Sequence, residues 1–175
     1  MISNVAKDYN ELHELRALFE KQLRQLYWAE KTMLNVISGV ILQSHSKDFV
    51  AALEKHRAET ISHGNRLEKI FKITGISVEE EPYEAVACLV KEMEQYIAST
   101  SRGVVRDAGV ISVLQKMEHY EIACYGTMRA YAIALREEEA IGLLEETLNE
   151  EKAADLALSR IAESHINIEA ADKEI

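Results

Sequence analysis

The chain has 175 residues, of which 47% are hydrophobic and 29% are charged, and its formal net charge is −10. This length predicts a single domain over residues 1–175, and the negative charge argues against partners such as nucleic acid or an acidic membrane surface. One proline and seven glycines supply too few turns for a β-sandwich or barrel, so the composition predicts an all-α protein.

The sequence also predicts the cellular compartment of the protein. The N-terminal stretch MISNVAKDYNELHELR lacks the apolar segment of a secretory signal, and no apolar run is long enough to cross a bilayer. Cys88 and Cys124 lie far apart and outside any CxxC motif. We therefore expect a cytoplasmic protein whose two thiols are reduced and buried.

Hydrophobic periodicity and capping signals predict helices along most of the chain. In order, they are α1 at about 8–43, α2 at about 46–74, a short α3 at about 82–98, α4 at about 104–135 and α5 at about 139–164. Asp8 and Glu11 have capping-box spacing at the start of α1. Ser46 is the expected N-cap of α2, and Pro82 suits the first turn of α3.

This order of elements predicts a ferritin-like four-helix bundle. α1 and α2 would form one antiparallel hairpin, and α4 and α5 would form a second. A crossover that carries the short extra helix α3 joins the two hairpins, which is the topology of ferritin-like bundles.

Acidic residues interrupt the apolar stripes of three long helices. At the three- and four-residue spacing of core positions, the interrupting acids are Glu30 in α1, Glu118 and Glu121 in α4, and Glu151 and Asp155 in α5. The more polar α2 carries His56, Glu59 and His63 on one face. An ionised carboxylate in a protein interior costs several kcal/mol unless it is paired or bound to metal, so this group predicts bound cations.

Distances from the turns place these acids at one height. Glu30 and Glu59 each lie about fifteen residues from the α1–α2 turn, or about 22 Å along the helices. Glu121 and Glu151 lie about equally far from the α4–α5 turn. Residues equally far from the turn of an antiparallel hairpin share a height, so each hairpin forms one acidic layer, and the topology allows the two layers to coincide.

Oxygen ligands with an occasional imidazole suit iron or manganese better than zinc. We therefore predict a cofactor of two iron ions, with manganese as the alternative metal. The predicted metal ligands are Glu30, Glu59, Glu118, Glu121, Glu151, His63 and Asp155. His56 has two interpretations, as a further ligand or as a hydrogen-bonded histidine near the α1–α2 turn, and we favour the second.

The spacing of the candidates supports some ligands more directly than others. Glu118 and Glu121 have the i, i+3 spacing of di-metal carboxylate bundles. His63 and Asp155 instead lie four residues after an acid, so each either binds metal or orients a ligand.

Three other polar residues lie on the predicted core stripes or within about a turn of a candidate ligand. Tyr27 and Tyr125 are about one turn from candidate ligands, where a tyrosine either relays an electron, hydrogen-bonds an oxygen species or packs as a core residue with a satisfied hydroxyl. Asp107 lies further along α4, outside the acidic layer, and we expect it to pair with a basic group.

Four short segments stand out together: LYWAEK at 26–31, ET at 59–60, EHYEIACYG at 118–126 and EEKAAD at 150–155. They resemble the YciE/YciF family of bacterial ferritin-like proteins. The resemblance implies a rubrerythrin-like bundle, a homodimer rather than a storage cage, an association with stress and no settled activity. It places the family's Glu-x-x-Glu motif on Glu118 and Glu121. The chain departs from the family at Gln25, where an acid is usual, and at His63, where glutamine is common.

Three functional hypotheses follow from the predicted layer together with what the resemblance implies about stress and dimerisation. The first is a stress-linked di-iron protein that reacts with a small oxidant, dioxygen or peroxide; as an enzyme it would be an oxidoreductase of the peroxidase or ferroxidase type. The second is a metal-binding dimer without catalysis that acts as a sensor or scaffold. The third is a metal-free interaction module in which the inward acids are protonated or paired with groups such as Arg66.

Overall fold

A computed structural model describes residues 14–172, and over these residues the protein is an all-α four-helix bundle with a short crossover helix. The elements are α1 Leu15–Gln43, α2 Lys47–Thr74, α3 Glu84–Ser99, α4 Val104–Leu135, α5 Glu138–Ile161, a π-helical turn at Ala162–Ile166 and α6 Asn167–Asp172. Around the bundle the order is α1, α2, α5, α4, and α3 packs mainly on α4. The predicted fold class is confirmed. The predicted capping box of Asp8 and Glu11 lies outside the described residues.

The turn between α1 and α2 is held by a buried carboxylate from α4. The side chain of Ser46 accepts a hydrogen bond from the backbone N–H of Phe49 at 3.4 Å, as the predicted N-cap should. The fully buried Asp107 accepts the backbone N–H groups of His45, at 3.0 and 3.1 Å, and of Ser46, at 2.7 Å. The prediction that Asp107 pairs with a basic side chain is therefore wrong, because backbone N–H groups at the start of a helix donate to its carboxylate instead.

The apolar core consists of two clusters. One cluster lies toward the α1–α2 turn and includes Val40, Phe49 and Val110. The other lies toward the opposite end of the bundle and includes Phe71 and Leu144. The polar layer of the bundle occupies the space between these two clusters, so water is kept away from it along the bundle axis.

Two local features differ from the sequence-based expectations. α5 ends at Ile161 and not near residue 164, and a π-helical turn then lets the chain continue into α6 and buries Ile166 in the first cluster. Both cysteines are free thiols, but Cys88 is exposed on α3 and Cys124 is half-buried. The expectation of two buried thiols is therefore wrong, since α3 turns Val86 and Met93 toward the bundle and leaves Cys88 on its outer side.

Within residues 14–172, none of the helices combines the length and apolarity that a membrane crossing would need.

Candidate metal centre

A layer of buried ionisable side chains separates the two apolar clusters, and each long helix contributes to it. We define the acidic layer as Glu30 from α1, His56 and His63 from α2, Glu118 and Glu121 from α4, and Glu151 from α5. Each of these residues is at most 6% exposed to solvent. Five of these residues were predicted ligands, and the structure brings them together.

The layer contains two groups of candidate ligand atoms that share one residue. Glu30, His63 and Glu151 form the first group, and His56, Glu118 and Glu151 form the second; within each group the candidate ligand atoms lie within 4.8 Å of one another. The Nδ1 atom of His63 is 2.8 Å from Oε1 of Glu151 and 3.5 Å from Oε2 of Glu30. Two adjacent groups joined by one carboxylate are the arrangement that two bridged metal ions require.

Many polar atoms of the layer are buried without a hydrogen-bond partner among the described residues. They are Oε2 of Glu30, both ring nitrogens of His56, Nδ1 of His63, both carboxylate oxygens of Glu118, Oε2 of Glu121 and both carboxylate oxygens of Glu151. Native interiors seldom leave such atoms unsatisfied. The layer is therefore incomplete as a hydrogen-bonded network.

The orientation of the contacts within the layer, and not their length, fits metal ligands better than hydrogen bonds. His56 Nε2 lies 3.0 Å from Glu118 Oε1, and His63 Nδ1 lies 2.8 Å from Glu151 Oε1, yet these atoms lack hydrogen-bond geometry. Neighbouring ligands of an octahedral ion with bonds of about 2.1 Å lie about 3 Å apart. The donor set of carboxylates and imidazoles therefore fits a pair of first-row transition-metal ions.

Burial shifts the carboxyl groups of the layer toward their protonated forms. Desolvation, with further repulsion from Glu30, raises the pKa of Glu118 to about 8. Desolvation also raises the pKa of Glu151 to about 7, although the contact with His63 opposes it, and raises the pKa of Glu121 well above its usual range. Without metal, the layer consequently holds protons near neutral pH.

The two histidines shift in opposite directions. Burial lowers the pKa of His56, which keeps its imidazole neutral and able to bind metal. Burial also works to lower the pKa of His63, but its contacts with Glu151 and Glu30 outweigh this effect and raise the pKa to about 11. In the metal-free protein, His63 therefore supplies the positive charge nearest to the acids.

Groups outside the layer orient its members. Tyr125, fully buried, donates its hydroxyl hydrogen to Oε1 of Glu30. On the other side, Nε2 of His63 lies 2.9 Å from Oε2 of Glu150, and Arg66 donates to the same oxygen at 2.6 Å. These contacts leave Nδ1 of His63 facing the layer, which is the usual outer support of a metal-binding histidine. Arg66 thus pairs with a surface carboxylate and not with the buried acids.

Two predicted ligands lie at the rim of the layer. The Glu59 side chain is 21% exposed and accepts a hydrogen bond from Lys55 at 2.6 Å. The Asp155 side chain is 20% exposed and lies 3.4 Å from Nδ1 of His119 and 3.3 Å from Nε2 of Gln115. A direct metal-binding role for these two residues stays a prediction without support from the geometry.

His56 occupies a more central position than the sequence analysis favoured. It lies seven residues, or two turns, before His63 on the same face of α2, and the two imidazole rings meet edge to face with centroids 6.5 Å apart. In the sequence, the seven-residue spacing from His63 is the feature that indicates an inward position for His56. Tyr27, by contrast, donates to Glu68 at 2.6 Å, so of the two tyrosines only Tyr125 contacts the layer among the residues described.

Residues 14–171 match the family model described as a domain of unknown function, DUF892. Protein YciF of Escherichia coli K12 is 32% identical over 157 residues, which are 89% of this chain and 95% of that protein. The crystal structure of the E. coli stress protein YciF superposes with a TM-score of 0.84 at 31% identity, covering 89% of this chain and 98% of the other.

Two further solved structures share the fold. YcfI of Rhodopseudomonas palustris, provisionally described as a structural protein, has a TM-score of 0.82 at 32% identity and covers 85% of this chain and 95% of its own. A protein of Xanthomonas campestris pv. campestris has a TM-score of 0.74 at 18% identity, over 93% of this chain and 100% of its own. The second likeness supports the fold alone.

Proposed function

Because the chain belongs to the DUF892 family and resembles the stress protein YciF over most of its length, we propose that it is a stress-linked di-iron protein that reacts with dioxygen or peroxide. The observation that carries this proposal is the set of buried carboxylate and imidazole atoms in the acidic layer that have no hydrogen-bond partner in the part of the chain that the structure describes. A dry interior tolerates such atoms when a cation binds them.

Charge and donor type both favour two divalent ions of a redox metal. The layer contains four carboxylates, whose full negative charge two divalent cations would match. Glu151 belongs to both candidate groups and would bridge the ions. Oxygen donors with one imidazole per group suit iron, and manganese as the alternative, better than zinc.

When bound, the metal pair would supply one-electron redox chemistry toward an oxidant. The chain's own residues prepare the site for it. Tyr125 holds the Glu30 carboxylate through its hydroxyl. Glu150 holds the Nε2 side of His63, so metal binding displaces the proton from Nδ1 while the other ring nitrogen keeps its partner. The apolar clusters above and below the layer keep bulk water away from it along the bundle axis.

A non-catalytic metal protein is the second candidate. The acidic layer joins all four long helices between the two apolar clusters, so ions bound there would link the two hairpins and stabilise the bundle. YcfI, similar over most of the chain, is provisionally described as structural. In this function the metal would bind without turnover, and exposure to an oxidant would produce no reaction.

Metal content per chain, after anaerobic reconstitution with ferrous iron, tests the proposal. We expect two iron ions in the wild type and a loss of iron in Glu151→Gln, because that variant removes charge from the residue shared by both groups. Asp107→Asn is the matched control, a change at a buried carboxylate outside the layer, and should retain two ions. A wild-type protein that takes up no iron would reject the proposal. An optical change on adding dioxygen or peroxide separates the reactive protein from the non-catalytic one.

A further inference from the structure

A small cavity lies between α2, α4 and α5, directly beside the acidic layer. Its volume is about 40 Å³. A single water needs roughly 10–15 Å³, so the cavity can hold a diatomic molecule. His56 lines the cavity and is also a member of the candidate ligand group with Glu118 and Glu151. The cavity therefore lies next to that group.

The walls of this cavity are mostly apolar. The apolar lining residues are Ala52, Leu53, Leu114, Ala154, Ala157 and Leu158. The charged lining residues, Lys55 and Glu59, pair with each other at 2.6 Å on the solvent side. Two buried residues, Leu114 and His56, lie at the inner side. The Nε2 atom of His56 lies 3.0 Å from Oε1 of Glu118.

The lining selects between the two oxidants of the proposed function. Peroxide has two hydrogen-bond donors and several acceptor sites, and moving it from water into an apolar space loses those bonds at a cost of a few kcal/mol. Dioxygen is apolar and loses none. Apolar cavities in proteins stay dry and take up small apolar molecules such as xenon.

Polar solutes have a different approach to the layer. A groove of about 290 Å³ between α1 and α2 reaches Glu30 and is lined by polar groups that include Thr60, Asn65 and Glu68. Water and peroxide can form hydrogen bonds along this groove. The reaction with a polar oxidant therefore does not require the apolar cavity.

We infer that the cavity beside His56 is the binding and access site for dioxygen, a small apolar oxidant. The inference rests on the proposed function, since it names the oxidant that reaches the same metal centre. It assigns to Ala52 on α2 and Ala157 on α5, which both line the cavity, the role of keeping this space open.

Xenon binding tests the cavity without any turnover. Crystals of the wild type, Ala157→Leu and Ala153→Leu would be pressurised with xenon. Ala153 is exposed on the same helix, so its leucine variant is the matched control. We expect a xenon peak in the cavity of the wild type and the control, and its loss in Ala157→Leu. Ordered water in place of xenon in the wild type would overturn the inference.

Kinetics of the iron-loaded protein test the oxidant. In Ala157→Leu, and independently in Ala52→Leu if the first variant folds poorly, we expect oxidation by dioxygen to slow several-fold while oxidation by hydrogen peroxide keeps the wild-type rate. Equal rates with dioxygen in filled and open cavities, at full iron content, would overturn the inference alone. Failure of the wild type to bind iron would overturn the proposed function and this inference with it.

Discussion

The bundle buries carboxylates in two places and accommodates them in opposite ways. At the α1–α2 turn, Asp107 is fully buried and accepts backbone N–H groups from His45 and Ser46. In the acidic layer, Glu118 and Glu151 are just as buried, yet within residues 14–172 both oxygens of each lack a hydrogen-bond donor. Burial of an acid alone therefore does not distinguish a structural carboxylate from a candidate ligand.

The difference follows from where along a helix the carboxylate lies. At the point where the chain enters a helix, backbone N–H groups lack intrahelical partners, and these can satisfy an acid such as Asp107. In the middle of a bundle, the backbone donors are already used within the helices. Acids at that height depend on side-chain donors, protons or cations. The comparison leads to three predictions, given from the largest expected effect to the smallest.

Asp107→Ala should lower the free energy of unfolding of the metal-free protein by about 3 kcal/mol, because the buried amides of the turn lose a charged acceptor. Chemical denaturation would measure the change. Iron content should stay at the wild-type value, since Asp107 lies eleven residues before Glu118, about 16 Å along α4. A loss of iron in this variant would show that the two carboxylate regions are not independent.

The metal-free protein should become less stable as the pH rises. Burial raises the pKa of Glu118 from 4.5 to about 8 and that of Glu151 from 4.5 to about 7. The stabilisation that the two groups give the folded state is therefore fully present below pH 4.5, and it is lost as the pH rises through about 7 and about 8. His63, raised to about 11, acts in the same direction at higher pH. Between about pH 6 and about pH 8 we expect the free energy of unfolding to fall by a few kcal/mol.

Thermal denaturation across this pH range would measure the effect, with two comparisons. Glu118→Gln should flatten the profile, because it removes one of the titrating groups, whereas Asp107→Asn should leave the slope unchanged. Iron loading should reverse the trend, since metal binding requires deprotonated ligands and strengthens as the pH rises. A metal-free protein whose stability rises over the same range would contradict the description of the acidic layer.

Glu59→Gln should have the smallest effect. Its carboxylate is partly exposed and paired with Lys55 four residues away, and such a pair contributes about 0.5 kcal/mol or less. We expect nearly unchanged stability and two iron ions per chain, measured as for Glu151→Gln. A drop in iron content would instead show that Glu59 turns inward when metal binds, as the sequence analysis predicted.

The sequence alone determined the helices, their order and the height of the acidic layer. Apolar residues at helical spacing predict the long helices, and the interruptions at Glu30, Glu118, Glu121 and Glu151 mark positions inside the bundle. Counting residues from the two turns then places these acids at one height, because each residue of a helix adds the same rise. The structure brings the same four acids together.

Only the tertiary structure decided which side chains of α2 and α5 enter that layer. Successive residues turn by about 100° around a helix, so Glu59 lies about 60° from His56 and about 40° from His63, a difference too small for a sequence pattern to resolve. The rotation of α2 about its axis, set by packing against α1 and α5, turns the histidines inward and leaves Glu59 at the rim. Asp107 likewise found its partners in backbone amides, which no residue pattern identifies.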